Sequence, residues 1–256
     1  LTNTVQANLS NAELTSGRDI EFTDTGFQIK NTTSNSNGNG QTYIYMAFAG
    51  GVDSMSAFNT TGKIESRVKA NPTYGQSIVS YTGSGSNATI GHGLSSAPEM
   101  MIVKRRDNAQ DWAVYHTGLG SATKNLYLNL TSAVQTEAPM WNSTAPTNSV
   151  FSVGTYNHVN NASEKYIAYC WHSVTGYSKF GSYTGNGSAT GPSVTTGFKP
   201  AWVMIKNAGS SGNGFDVKLG ALQSYIVSNA SISGSAAGGT FDSFTDFDTL
   251  KADANT

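Results

Sequence analysis

A chain of this kind could do chemistry in three ways: two carboxylates across one sugar, a nucleophile beside a histidine, or three metal ligands on one face. A glycan hydrolase would show paired carboxylates, for instance a Glu-x-Asp-x-x-Glu strand, and no such spacing occurs. Glu21 and Asp24 fall on opposite faces of an extended stretch, and Asp107 and Asp111 flank a turn. The four histidines, His92, His116, His158 and His172, lack the spacing of a metal-binding helix or hairpin. His92 stands between glycines in "IGHGL" and reads as a turn residue. The single cysteine, Cys170, rules out an intrachain disulfide and sits in the apolar run "YIAYCWH", as a small buried hydrophobe would.

Weaker signals have plain readings. "YTGNGS" lacks the helix and the Lys-Ser/Thr end of a phosphate loop and reads as a hairpin turn. "VKRRD" (Val103 to Asp107) reads as a surface cluster at a strand end, with an acidic-glycan contact as the sharper alternative. "NSNGNG" has no carboxylate to hold calcium. Sugar binding would use loop aromatics that stack on a sugar face beside polar groups that fix its hydroxyls. On that pattern the candidate ligand-binding residues are Trp141 in "PMWNST", Tyr156 and His158 in "TYNHVNN", and Tyr74 in "NPTYG". Trp112, Trp171 and Trp202 lie in strand-like runs and are expected in the core. No catalytic, metal or cofactor site is expected.

The elements that must hold these residues are short strands. Only 12% of the 256 residues are charged, the net charge is −1, and Gly, Ser, Thr and Asn abound. That balance offers no basic stripe for nucleic acid. No apolar run reaches the length of a membrane-crossing helix, so membrane insertion is not expected either. "QSIVSYTG", "EMMIVKRR", "DWAVYHT", "NLYLNLT", "SVFSVGTYN" and "KYIAYCWH" follow one another between turn residues. In "WAVYH", Trp112 and Val114 fall on one face and Ala113 and Tyr115 on the other. "YIAYCW" is apolar throughout, as a strand covered on both faces would be. Tyr81, Met101, Val103, Trp112, Phe151, Ile167 and Trp171 are the predicted core.

The chain also repeats itself. "YTGSGSNATIGHGLSSAPEMMIVK" (Tyr81 to Lys104) returns as "YTGNGSATGPSVTTGFKPAWVMIK" (Tyr183 to Lys206), each end displaced by 102 residues. "YIYMAF" (Tyr43 to Phe48) has its counterpart in "YIAYCW" (Tyr166 to Trp171). The repeat divides the chain into a closing half-module (1–50), a linker or insertion with a short helix near Lys63 to Lys69 (51–75), a complete module (76–175) and the opening part of another (176–256). The last is to be completed by residues 1–50 or by a neighbouring chain, with "TYIYMAFA" pairing to the sheet that holds "PAWVMIK". The expected fold class is all-β, as tandem antiparallel β-sandwich modules of jelly-roll type.

These phrases carry a resemblance. "ANPTYGQSIVSYTGSGSNATIGHGLSSAPEMMIVKRRDNAQDWAVYH", "YIAYCWHSVTGYSKFGSYTGNGS", "TGFKPAWVMIK" and "GQTYIYMAFA" stand in the order found in an uncharacterised concanavalin-A-like module. The chain resembles that module, which recurs in tail-fibre and other virion proteins of marine bacteriophages. The resemblance implies a β-sandwich and a virion, extracellular location. It implies a non-enzymatic structural role, with other copies of the chain or other virion proteins as partners and a host surface glycan as candidate ligand. It carries no catalytic residues. The alternative is a glycan-active enzyme, a polysaccharide depolymerase, on the same scaffold.

Overall fold

The computed structural model describes residues 4–14, 20–30, 37–41, 47 and 57–219. Among them the chain is all-β, with little helix: short turns that include α1 (Asn157–Asn160) and two 3-10 turns, Pro72–Tyr74 and Thr117–Leu119. Its centre is an antiparallel sheet of eight strands: β3 (Ala57–Asn59), β4 (Ser66–Asn71), β5 (Gln76–Thr82), β7 (Met100–Arg105), β8 (Ala113–His116), β9 (Lys124–Tyr127), β10 (Gln135–Thr136) and β12 (Lys165–Trp171). Their order across the sheet is β10-β9-β8-β7-β12-β5-β4-β3. β12, the last of these in sequence, lies between β5 and β7, with Tyr166 opposite both Tyr81 and Arg105. Two short strands, β6 (Ala88–Gly91) and β11 (Val150–Val153), pair separately, and a hairpin of β1 (Ile20–Thr23) and β2 (Gly26–Ile29) stands near the start.

Strand alternation gives the large sheet two faces, and each supports a core. On the inner face Val79, Tyr81, Met101, Val103, Ala113, Tyr115, Tyr166, Ala168 and Cys170 pack against Ala88, Ile90, Phe151 and Val153 of β6 and β11. Tyr81 and Tyr166 stack with centroids 5.2 Å apart, as their cross-strand pairing allows. On the outer face Met100, Ile102, Trp112, Val114 and Leu126 meet Val5 from the N-terminal stretch and Met204 and Phe215 from the far end of the chain. Burying each such side chain stabilises by roughly 1.5–3 kcal/mol, so two-sided coverage is a large term for so thin a structure. Cys170 is buried, and burial pushes its thiol up to about 12, as expected of a packing residue.

The repeat in the sequence is a repeat in the structure. β13 (Trp202–Lys206) and β14 (Phe215–Leu219) form a hairpin whose first strand stands 102 residues after β7. Its register copies that of β7 and β8, with one more residue in the connecting loop. Met100 faces His116 and Trp202 faces Leu219; Ile102 faces Val114 and Met204 faces Val217. The counterparts Ile102 and Met204, and Trp112 and Phe215, all join the outer apolar cluster. Both hairpins therefore contribute these equivalent residues to one apolar cluster. The counterpart of β5 in the second copy, 178–184, forms no strand. β5 is joined to β7 only through β12, and no strand stands beside 178–184 among the described residues.

Three expectations change. The short helix expected near Lys63 to Lys69 in the linker or insertion 51–75 does not form: the stretch supplies β3 and β4 to the sheet, because Ser66 and Val68 point inward while Arg67 stays in solvent. β12 is not equally covered on its two faces. Tyr166, Ala168 and Cys170 are buried, whereas Ile167, Tyr169 and Trp171 are half-buried on the outer face. Of the predicted core, Ile167 and Trp171 are thus half-buried, and the other five are buried. Third, Trp202 is 43% exposed rather than core. The Tyr43–Phe48 strand, and its pairing with "PAWVMIK", lie outside the described residues.

Candidate functional site

One cluster brings ionisable and aromatic side chains from separate parts of the chain together. β9 ends on Tyr127, the turn after β10 places Glu137, and Tyr156 and His158 enter from the start of α1. Tyr127 donates its hydroxyl to Glu137 Oε2 at 2.7 Å, and Tyr156 donates to Oε1 at 2.8 Å. The His158 ring lies parallel to Tyr156 with centroids 5.1 Å apart, and 5.1 Å from Tyr127 at a tilt. Burial raises the Tyr127 phenol, reinforced by the Glu137 carboxylate that accepts from it; for Tyr156 that hydrogen bond is the larger cause. Burial holds His158 below the ordinary imidazole range, against the pull of Asp111 and Glu137. At neutral pH the two phenols and the imidazole of the cluster are uncharged. Both carboxylate oxygens already accept a phenolic proton, which makes Glu137 a cross-link between β9 and the segment leading to α1.

The cluster continues toward Asp111. His158 Nε2 stands 3.9 Å from Asp111 Oδ2, too far for a hydrogen bond, while Asn129 donates to Oδ1 at 2.7 Å. Beside them Lys104 is fully buried and donates to the carbonyls of Arg105 (2.6 Å) and Ser10 (3.2 Å). It thereby pins the N-terminal stretch to the sheet. Burial pushes its ammonium down to about 8, with Asp111 partly opposing. Between about pH 8 and 10 the unfolded chain holds more protons at this residue than the folded one, so stability rises with pH there. Relative to Lys104→Met, which cannot titrate, the wild-type chain is expected to gain up to about 3 kcal/mol between pH 7 and 10. Urea unfolding of both across that range measures it; a wild-type stability that, relative to the variant, stays flat or falls as pH rises would contradict it.

The structure separates the residues that sequence grouped. Tyr156 and His158 do come together. Trp141, expected as an exposed platform, is fully buried and sets its ring edge-on to Tyr115, so it cannot stack on a sugar. The tight turn after it, with Asn142 and Ser143 at positive φ, folds the indole inward despite its polar neighbours. Tyr74 is exposed but lies elsewhere, against Tyr177 at 4.8 Å. The "VKRRD" cations are not one surface cluster: Lys104 is buried on the outer face, Arg105 is buried and paired to Glu164 at 2.5 Å, and Arg106 pairs with Glu13. His92 is buried, accepts from the Leu94 amide at Nδ1 and meets the Thr147 carbonyl with Nε2, joining two loops. Glu21 pairs with Lys30 across the first hairpin. The first Tyr-Thr-Gly-x-Gly loop is braced from within, since Asn160 accepts from the Ser84 amide at 2.7 Å. Among the described residues no three His, Cys, Asp or Glu side chains could hold one metal ion, and no helix is long and apolar enough to cross a membrane.

A family model described as a domain of unknown function (DUF7483) matches residues 1–51 and 52–241, nearly the whole chain. The chain belongs to the DUF7483 family. The two matched stretches of this DUF7483 chain meet between Gly51 and Val52. No curated protein and no solved structure matches it. Sequence reasoning missed Glu137 in this DUF7483 protein, although it is the only carboxylate between Asp111 and Glu164. That isolation was the available signal; its phenolic partners lie 10 and 19 residues away, at no fixed spacing.

Proposed function

We propose that this DUF7483 chain is a non-enzymatic structural module of a bacteriophage particle, a tail-fibre or surface component that works outside the cell. Its described strands read as a concanavalin-A-like, jelly-roll β-sandwich, with β6 and β11 as the smaller layer. Its partners are other copies of itself or other virion proteins, and a host surface glycan is its candidate ligand. The observation that carries the reading is the repeated hairpin: β7–β8 and β13–β14 keep one register apart from one loop residue, and the counterparts Ile102 and Met204, Trp112 and Phe215 share one apolar cluster. A chain that gathers copies of one unit into a common core is suited to building elongated or layered assemblies. The sequence resemblance to virion modules points the same way.

An enzymatic reading makes a different prediction at Glu137, the cluster's central carboxylate. Incubated with capsular or exopolysaccharide of a susceptible bacterium, the chain is expected to leave viscosity and reducing-end content unchanged. Depolymerisation that vanishes in Glu137→Gln, with the fold retained, would replace the structural reading by that of a depolymerase.

A further inference from the structure

The described residues cover the outer face of the large sheet only in part. Met204 and Phe215 pack over the β7–β8–β9 half. Toward β4 and β5 a groove of about 300 Å³ remains. Its floor is apolar, made by Ile78, Ile167 and Tyr169 in adjacent strands. Its β4 wall is cationic. Arg67 stands opposite Ser80, and Lys69 opposite Ile78, so both cations and one hydroxyl share the face with the floor. Arg106 lines the far side with its charge matched by Glu13. The side chains of Lys69 and Ser80 make no hydrogen bond or ion pair with a described residue, and Arg67 rests its guanidinium 3.8 Å over the exposed Phe58 ring. In a chain of net charge −1, two unmatched cations beside an apolar floor are a local concentration of positive potential.

We propose that this groove binds an acidic saccharide, a sugar bearing carboxylate or sulfate. The C–H face of the ring lies on Ile78, Ile167 and Tyr169, the anionic group meets Arg67 and Lys69, and Ser80 takes a hydroxyl. An apolar floor with a few converging polar groups is how pockets bind sugars, and guanidinium pairs with carboxylate or sulfate through two parallel hydrogen bonds. A bare inorganic anion would leave the floor wet, and a neutral sugar would leave the cations unmatched. The site shares no residue with the sequence-derived glycan candidates. The proposal rests on the preceding reading only in taking a glycan as ligand: failure here leaves the virion role standing, and an enzymatic result there leaves the groove standing.

The test is calorimetric titration of the full chain with oligogalacturonate, with neutral malto-oligosaccharide of equal length and with hexaglutamate peptide. Oligogalacturonate is expected to bind, the neutral sugar and the peptide at least about tenfold more weakly. Raising salt to about 0.5 M should weaken the binding. The double variant Arg67→Gln with Lys69→Gln should lose at least about tenfold in affinity while its near-ultraviolet circular dichroism is unchanged. Lys69→Glu alone, at a half-exposed position, serves as a second variant should the double one unfold. No binding of oligogalacturonate, or binding indifferent to these substitutions, overturns the proposal. Hexaglutamate binding as tight as the saccharide does so too, because the groove would then be a docking site for acidic peptide.

Discussion

Trp141→Ala is expected to lower the unfolding free energy by about 3–5 kcal/mol, among the largest losses any single substitution in this chain should produce. The indole is fully buried beside Met140, its ring centroid 5.9 Å from that of Tyr115 at 78°, inside the inner core. Truncation would leave a cavity whose walls are strands of the sheet and β6–β11, which cannot close in without breaking register. Its Nε1 is buried and makes no hydrogen bond with a described residue. Trp141→Phe removes that unpaired donor and keeps most of the ring, so it should cost no more than about 1.5 kcal/mol. Urea unfolding of the two variants checks both figures. An exposed sugar platform would behave otherwise: alanine would change stability by less than about 0.5 kcal/mol and alter binding instead.

Asn160→Ala should cost about 3 kcal/mol or more through stranded backbone groups rather than a cavity. The side chain is fully buried and every polar atom of its amide is used. Its Nδ2 donates to the carbonyls of Ser86 and Gly154, each at 2.7 Å, and its Oδ1 accepts from the Ser84 amide at 2.7 Å. Three hydrogen bonds at about 1 kcal/mol each disappear, and of the groups left behind the Ser86 carbonyl keeps only the Ser84 hydroxyl, at 2.9 Å. Asn160→Asp is nearly isosteric but should do no better, since it turns a donor toward two carbonyls into an anion. Hydrogen exchange at the Ser84 amide gives the local readout: protection should collapse in both variants. Because Asn160 closes α1, which also carries His158, the Tyr156–Glu137 contact should loosen in the same variants. A melting temperature within a degree or two of wild type would contradict this role.

What was legible in the sequence follows the period of the strands. Read as a strand, residues 112–115 fall on alternate faces, and they alternate in the structure between the outer and inner cores. The repeat was legible because a hairpin register must be preserved for its inward side chains to meet the same cluster. β4 was misread although Ser66, Val68 and Ala70 alternate with Arg67 and Lys69; a Lys-rich stretch between polar turns fits a short helix equally well until its partner strands are known. Trp141 was misread because its neighbours in "PMWNST" are polar, while its burial is decided by the turn that follows. Glu137 and the groove at Arg67 were not legible at all. The groove is assembled from strands whose meeting depends on the position of β12 between β5 and β7, and the partners of Glu137 come to it at no fixed spacing.

Whether the chain is built into a particle decides the proposed function, and immunogold electron microscopy of purified phage particles measures it directly. Antibody raised against residues 57–219 is expected to decorate intact particles at the tail or on the surface, with the chain co-purifying at a fixed ratio to capsid protein. Undecorated particles, with the chain left in the soluble fraction of the lysate, would contradict it.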